Sequence, residues 1–311
     1  MRKVVITGGT GFIGISLAKF LKAKGYQTIL IARHKTESDF DFVQWDGTNL
    51  GEWCNVLEGA TAIVNLAGRS VDCIKTPDHC DEILRSRIDS TKVIGEALKS
   101  VKSPPKVWVQ MSTAHIYGDS VSQVCNENSS TGYGLAPFVG KAWEKAFLEA
   151  LPEDIRGVRL RTSFVIGRNG GALSSLKRIV KLGLGGKVGE GKQGMSWIHE
   201  FDLNSLIYEA ITNETYNGFY IASAPNPVSN KEFMKQLRVR MKSFIGLSLP
   251  LFMIKLGAKY IFKTDPELAI YGRYVKSKRL EEEGFSFQYP QLSNALENLL
   301  TNTQIQNHGA L

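Results

Sequence analysis

The sequence predicts an α/β protein: a doubly wound parallel sheet with a smaller, mainly helical C-terminal lobe. Three observations carry that reading. Short β-branched runs alternate with helical patterns as far as Ile166, and the first run closes on a glycine-rich turn that opens a helix. Beyond Gly167 the alternation gives way to glycine-rich loops and helical segments. Lys3 to Thr7 is the first strand, and Ile13 to Lys24 the first helix, with Leu17, Phe20 and Leu21 on one face and Gly25 as its stop. Strands follow at Gln27–Ala32, Phe42–Trp45 and Ala62–Leu66, then a long helix at Ile83–Ser100. A strand at Lys106–Met111, a helix at Lys141–Ala150 and a strand at Val158–Ile166 complete the series. Apolar strands separated by helices join as parallel neighbours through right-handed crossovers. The expected organisation is a cofactor-binding core over 1–167 and a mixed region over 168–300. That region holds a substrate lobe and helical domain, with some segments returning to the core. Residues 301–311 form a polar, aperiodic tail.

Composition excludes several classes. The chain has 311 residues, 43% hydrophobic and 22% charged, with 30 glycines, which describes a globular protein rather than a disordered one. No stretch reaches the roughly 18 uninterrupted apolar residues of a membrane span. Met1-Arg2-Lys3 leads directly into the first strand without a signal-peptide core. Cys54, Cys73, Cys80 and Cys125 show neither a CxxC pair nor zinc-type histidine spacing, so reduced thiols, no metal site and a cytoplasmic location are expected.

The net charge of +8 has a local origin. Between Lys231 and Arg279 there are 12 Lys/Arg against 3 acids, an excess of 9. These bases are interleaved with apolar residues, and Leu251 to Lys263 has the spacing of an amphipathic helix with lysines on its wet face. A packed helix with a solvated edge is the plain expectation. A surface attracting an anionic substrate, or one binding nucleic acid or membrane through Lys255, Lys259 and Lys263, is the alternative.

The turn Gly8-Gly-Thr-Gly11-Phe-Ile-Gly14 joins the first strand to the first helix, the context in which a GxxGxxG pattern binds a dinucleotide. Gly8 permits the tight turn, Gly11 lets the backbone approach a pyrophosphate, and Gly14 lets helix and sheet pack closely. Thr10, Phe12 and Ile13 belong to the same cradle, whose helix N-terminus faces the phosphates. No lysine precedes a Ser or Thr here, which excludes a nucleotide-hydrolysing P-loop. At the end of the second strand an NAD site places a carboxylate for the ribose 2′-hydroxyl. This chain has Arg33-His34 instead, and Arg33 suits a 2′-phosphate, so NADP (NADPH) is expected over NAD. Asp46 stands where an adenine contact is expected.

With these residues in view, the chain resembles the extended short-chain dehydrogenase/reductase superfamily. The shared marks are Thr7-Gly-Gly-Thr-Gly-Phe-Ile-Gly14, Asn65-Leu-Ala-Gly68, Ser112-Thr-Ala-His-Ile-Tyr-Gly118 and Trp197-Ile-His-Glu-Phe-Asp-Leu203. Within it the chain is similar to the "epimerase family" branch, named for nucleoside-diphosphate-sugar epimerases and carrying a distinct C-terminal domain. The branch marks are Leu182-Gly-Leu-Gly-Gly186, Gly191-Lys-Gln-Gly-Met-Ser-Trp-Ile-His199, Ala224-Pro-Asn-Pro227 and Glu283-Gly-Phe-Ser-Phe-Gln-Tyr-Pro290. The resemblance spans residue 1 to about 300 and implies a Rossmann core with NADP and a substrate lobe after about residue 167. It also implies that Leu66, Ala67 and Gly68 line the cofactor, that Glu82 and Arg87 contact it, and that Val165 passes the nicotinamide end. For Arg87 a surface ion pair is the competing reading.

The superfamily's Tyr-x-x-x-Lys pairs a phenol with an ammonium one helical turn away, which lowers the phenol pKa for proton transfer. Lys141 fits the lysine, but Pro137 stands four residues before it. Pro137 is read as the start of a helix. The superfamily's substrate-polarising hydroxyl falls on Thr113 or, by the branch, on Ser112. Tyr117, Tyr133 and His199 are the candidate proton donors, each with a packing role as its alternative. The expected activity is hydride transfer at a carbinol or keto carbon of a small, anionic or nucleotide-linked substrate, as reduction or epimerisation. A non-catalytic NADP(H)-sensing protein is the alternative, motivated by the lost tyrosine. No nucleic-acid or membrane partner is expected, and the chain is read as a monomer or homodimer.

Overall fold

The computed structural model describes residues 2–248, 250–257 and 265–301. The first half runs β1 (Lys3–Thr7), α1 (Phe12–Ala23), β2 (Gln27–Ala32), β3 (Asp41–Gln44), β4 (Ala62–Asn65), α2 (Pro77–Ser100) and β5 (Val107–Thr113). It continues through β6 (Ser120–Cys125), α3 (Leu135–Ala150), β7 (Arg156–Thr162) and β8 (Phe164–Ile166). The second half comprises α4 (Ala172–Lys181), β9 (Gly194–Met195), β10 (Trp197–His199), α5 (Glu200–Thr212), β11 (Gly218–Ala222) and β12 (Val228–Ser229). It ends with α6 (Asn230–Arg240), α7 (Leu251–Gly257), α8 (Glu267–Ile270), β13 (Arg273–Val275), α9 (Lys278–Glu282) and α10 (Leu292–Leu300).

Seven strands form one parallel sheet in the order β11-β7-β5-β4-β1-β2-β3. The direction of winding reverses between β1 and β4, and at such a reversal the carboxyl ends of the strands open a crevice. Both faces of the sheet are covered, which is why β1, β2 and β4 are runs of buried apolar residues. On one face Leu17 and Leu21 of α1 and Leu203, Leu206 and Ile207 of α5 pack on Val4, Ile6 and Leu30. On the other, Val93, Ile94 and Ala97 of α2 and Phe147 of α3 pack on Val5, Ile63 and Trp108. A further core joins Leu173, Trp197, Phe233, Leu237 and Leu296 in the C-terminal half.

Several elements depart from expectation, each for a local reason. α2 begins six residues early because Thr76 caps it, accepting from the His79 N–H at 3.2 Å, and Pro77 takes the first helical position. α3 also begins six residues early, after Gly134 at φ 107°. Pro137 is therefore the third helical residue and not the first, at a position where no intrahelical N–H bond is forfeited. β5 runs on to Thr113, so Ser112 and Thr113 both lie on the strand. The expected strand at Val158–Ile166 is two strands. Ser163 donates to the Ala222 carbonyl from both N and Oγ at 3.0 Å, and the chain then leaves the large sheet to pair with β10. A four-stranded sheet, β12-β9-β13-β6, joins β6 of the first half to three strands of the second, and its two- to six-residue strands are too short for a periodic signal. α7 lies within the expected basic helix, and its Leu251, Phe252 and Leu256 are exposed, Phe252 at 64%. Lys259, Lys263 and the tail beyond residue 301 lie outside the described residues.

Beneath the end of β5 lies a buried ionic cluster. Glu144 of α3 receives Arg161 Nε at 2.8 Å on Oε1 and Arg161 NH2 at 2.8 Å on Oε2, with Arg159 at 3.2 Å. Burial pushes the Glu144 carboxyl up, but the Arg161 bonds and charge, Ser112 and Arg159 together bring it below its ordinary value. Breaking such a pair strands its partners. Glu144→Ala should cost about 3–5 kcal/mol, read as a lower chemical-denaturation midpoint at unchanged slope.

Candidate functional site

The glycine turn is built by backbone packed on backbone. Gly8 holds φ +68°, and a Cβ on it would stand 2.7 Å from the carbonyl carbon and oxygen of Leu66 and 2.8 Å from the Ala67 nitrogen. A Cβ on Gly14 would stand 2.4 Å from the Gly9 oxygen. Gly11 is different: its φ of −74° is ordinary and its nearest neighbour, the Gly8 oxygen, is 3.4 Å away. Its missing side chain clears the open side, above the first turn of α1, where the N–H groups of Phe12, Ile13 and Gly14 have no intrahelical acceptor. Thr10 is half-buried beside them. This geometry fits a pyrophosphate: donors converge at a positive helix end and no Cβ stands in the way.

Asn65 holds the β4 edge of the crevice. Its Oδ1 accepts from Thr7 Oγ1 at 2.7 Å and from the Ala67 N–H at 3.0 Å, while its Nδ2 donates to Gln110 at 3.0 Å. Leu66 and Ala67 are half-buried along this edge and Gly68 is exposed. A Cβ on Gly68 would stand 3.2 Å from the Arg87 guanidinium carbon. Arg87 turns inward over the Trp143 ring at 5.1 Å and donates to the Arg69 and Ile83 carbonyls at 3.1 and 2.9 Å. Burial lowers its pKa to about 10, and it has no carboxylate partner among the described residues. The ion pair at this place is Glu82 with Arg69, so Arg87 is not the surface ion pair weighed above.

At the end of β2, the Arg33 and His34 side chains are exposed and have no hydrogen-bond or ionic partner among the described residues. Asp46 is engaged by its own loop, accepting from the Thr48 and Asn49 N–H groups at 2.8 and 2.9 Å and from Asn49 Nδ2 at 2.7 Å. These bonds, Asn49's first, hold its carboxyl down at about 2. Val165 on β8 is half-buried opposite Ile198.

The six candidate catalytic residues separate into two groups. The Ser112 hydroxyl donates to Glu144 Oε1 at 2.7 Å, inside the ionic cluster. The Tyr117 hydroxyl accepts from Arg161 at 2.8 Å, and burial pushes its pKa up to about 12. His199 caps α5, with Nδ1 accepting from the Phe201 N–H at 3.0 Å and its ring stacked on Tyr289 at 4.0 Å. These three are held in packing roles. Alternation along the strand turns Thr113 away from Ser112. Its Oγ1 accepts from the His115 N–H at 3.1 Å, which leaves its own proton free to donate. Tyr133 is 95% exposed, with Lys141 Nζ 5.9 Å from its ring centroid. Gly132 receives Lys141 on its carbonyl at 3.5 Å and donates to Ile116 at 2.9 Å, which keeps this pair next to the end of β5. Lys141 and Gly132 are thereby tied to the turn at Ile116, three residues beyond Thr113. Glu144, Arg159 and Arg161 were not singled out from the sequence. The signal was there: two arginines on a central parallel strand must each find a partner.

No helix among the described residues is long and apolar enough to cross a membrane, and these residues hold no cluster suited to a metal. Cys54, Cys73, Cys80 and Cys125 are all free thiols.

Burial, against a bond to Asn298, lowers the His199 pKa from 6.5 to about 4. The unfolded chain therefore binds more protons between these values, and stability falls as pH drops through that window. His199→Asn keeps a capping oxygen and removes the titration. The wild type should lose on the order of 3 kcal/mol more than the variant between pH 6.5 and 4, measured by denaturant midpoints.

The chain matches the model of the NAD dependent epimerase/dehydratase family over residues 4–222, and a domain of unknown function, DUF1731, over residues 249–299. It is 33% identical over 304 residues to the chloroplastic epimerase family protein SDR39U1 homolog of Arabidopsis thaliana, covering 96% of this chain and 86% of that protein. It is 30% identical over 304 residues to epimerase family protein YfhF of Bacillus subtilis, covering 96% and 97%. A crystal structure of human epimerase family protein SDR39U1 (isoform 2) with NADPH superposes with a TM-score of 0.86 at 27% identity, covering 97% of this chain and all of that one. The UDP-N-acetylglucosamine 4-epimerase of Bacillus cereus shares the fold, with a TM-score of 0.73 at 19% identity over 96% of this chain and 98% of that one. By its glycine cradle, its winding order and these matches, the chain belongs to the NAD-dependent epimerase/dehydratase family.

Proposed function

We propose that this protein is an NADP(H)-dependent oxidoreductase or epimerase acting at a carbinol or keto carbon of a small, anionic or nucleotide-linked substrate. The observation that carries the reading is the pairing of a glycine cradle that admits no Cβ at Gly8 or Gly14 with the unpartnered Arg33 and His34 at the end of β2. Arg33 takes the 2′-phosphate with a charge-assisted fork, and no carboxylate repels it there. The N–H groups of Phe12, Ile13 and Gly14 receive the pyrophosphate. Leu66, Ala67 and Gly68 line the trough, Arg87 supplies an uncompensated positive charge beside it, and Val165 marks its nicotinamide end. The human homologue crystallised with NADPH supports the same choice.

When bound, the nicotinamide supplies or accepts the hydride. Thr113 donates its free hydroxyl proton to the substrate oxygen, and Tyr133, with Lys141 beside its ring, exchanges the proton. Ser112, Tyr117 and His199 position the surrounding chain. A recess of about 590 Å³ beyond the end of β5 is lined by Tyr117, Asp119, Gln123 and Asn126 among others, and its polar wall suits a hydroxyl-rich group. We place the cofactor core before about residue 167 and the substrate lobe after it, in a cytoplasmic protein whose thiols stay reduced. A second reading, a non-catalytic NADP(H)-binding sensor, is favoured by the helical Pro137 in place of a phenol and by the engagement of Ser112 and Tyr117 with Glu144 and Arg161.

Titration of nicotinamide fluorescence should give tighter binding of NADPH than NADH. Arg33→Asp should weaken NADPH by about 10–100-fold and erase the preference. Against a panel of nucleotide sugars and small ketones, Thr113→Val and Tyr133→Phe should each lower turnover about 100-fold or more, while Ser112→Ala leaves it within a few-fold. Tight NADPH binding with no turnover on that panel would establish the sensor reading instead.

A further inference from the structure

Beyond the residues that touch the cofactor in that reading, we infer that Glu200 is a positioning residue, a clamp that fixes the two ends of the cofactor trough relative to each other. The inference rests on the trough running from the glycine turn to Val165.

The geometry begins with the two-stranded pairing of β8 with β10. Its register sets Val165 opposite Ile198 and Ile166 opposite His199, so the next residues, Gly167 and Glu200, leave the pair side by side. A Cβ on Gly167 would stand 2.2 Å from Phe12 Cζ and 2.8 Å from the Glu200 carboxyl carbon. Cβ atoms on Gly170 and Gly171 would stand 2.4 and 3.2 Å from the same Phe12 ring. The segment 167–171 is thus a glycine strap laid over Phe12, the first helical residue of the phosphate-binding turn.

Glu200 holds the strap to the helix. Its Oε1 accepts from the Arg168 N–H at 2.8 Å, and its Oε2 accepts from Ser16 Oγ of α1 at 2.8 Å. Ser16 Oγ in turn accepts from Asn204 Nδ2 at 2.9 Å, one turn along α5. Glu200 has no ionic partner among the described residues, so the carboxylate is held by one backbone and one hydroxyl donor at the N-terminus of α5. One side chain therefore ties β8, which carries Val165, to α1, which carries the phosphate donors. The Arg168 guanidinium donates to the Asn298 and Thr301 carbonyls, anchoring the strap to the end of α10 as well.

A residue that only stabilises the fold would leave affinity unchanged once the protein is folded. A clamp between the two ends of the trough acts on ligands that span it, and far less on a ligand that occupies one end. The experiment compares NADPH with 2′,5′-ADP, which lacks the nicotinamide half, in wild type, Glu200→Ala and Glu200→Gln, with circular dichroism confirming folded protein. Glu200→Ala should weaken NADPH by about ten-fold or more, the effect of roughly 1.4 kcal/mol, and 2′,5′-ADP by less than about three-fold. Glu200→Gln keeps an oxygen for Arg168 and offers an amide to Ser16, and should return NADPH affinity to within about three-fold of wild type. Equal weakening of both ligands, or wild-type affinity for NADPH in Glu200→Ala, would overturn the clamp. Failure of the wild type itself to bind NADPH would overturn the cofactor reading on which the clamp stands.

Discussion

The constraint on which the rest depends is the contact of bare backbone with bare backbone at the head of the sheet. β1 can turn into α1 only because Gly8 passes within van der Waals reach of Leu66 and Ala67, and α1 can lie on the sheet only because Gly14 meets Gly9. Those approaches bring the helix N-terminus to the place where the winding of the sheet reverses. Asn65 secures the arrangement from below, satisfying the Thr7 hydroxyl, the Ala67 N–H and the Gln110 amide at once. The crevice is therefore a product of chain geometry before any side chain lines it, which suits a long, flat, charged cofactor.

A second feature governs what chemistry is open to the site. In this chain a buried Arg159–Glu144–Arg161 cluster occupies the space behind β5 and draws in the hydroxyls of Ser112 and Tyr117. Such a cluster is costly to desolvate and costly to break, so its members are fixed. The hydroxyl that stays outside the cluster is the one alternation turns away from it, Thr113. Pro137 is the one buried residue of the first turn of α3, with Leu135, Ala136 and Phe138 exposed around it.

The C-terminal half shows how short elements become structural through contacts of high sequence separation. Asp202 accepts from the Gln288 and Tyr289 N–H groups, and Glu127 accepts from Ile221, Ser277 and Lys278. Asp202 joins α5 to the loop before α10, and Glu127 joins the loop after β6 to β11 and to the start of α9. In such a lobe register is set by these polar anchors as much as by apolar periodicity.

The sequence by itself determined the doubly wound sheet, the helices on both faces, the glycine cradle and the choice of Arg33 over a carboxylate. Those features are local: strands of four to seven residues, a glycine pattern within seven positions and the residue that ends a strand can be read without knowing their neighbours. The starts of α2 and α3 were legible in principle, since Thr76-Pro77 and Gly134 are local signals too. What only the tertiary structure decided was the use of side chains that meet across long separations. Whether Ser112 faces a substrate or Glu144, whether Arg87 pairs with a carboxylate or turns onto Trp143, and whether Glu200 reaches Ser16 each depend on partners 32, 56 and 184 residues away. No periodicity encodes such distances, because they follow from how the crossovers stack the finished elements.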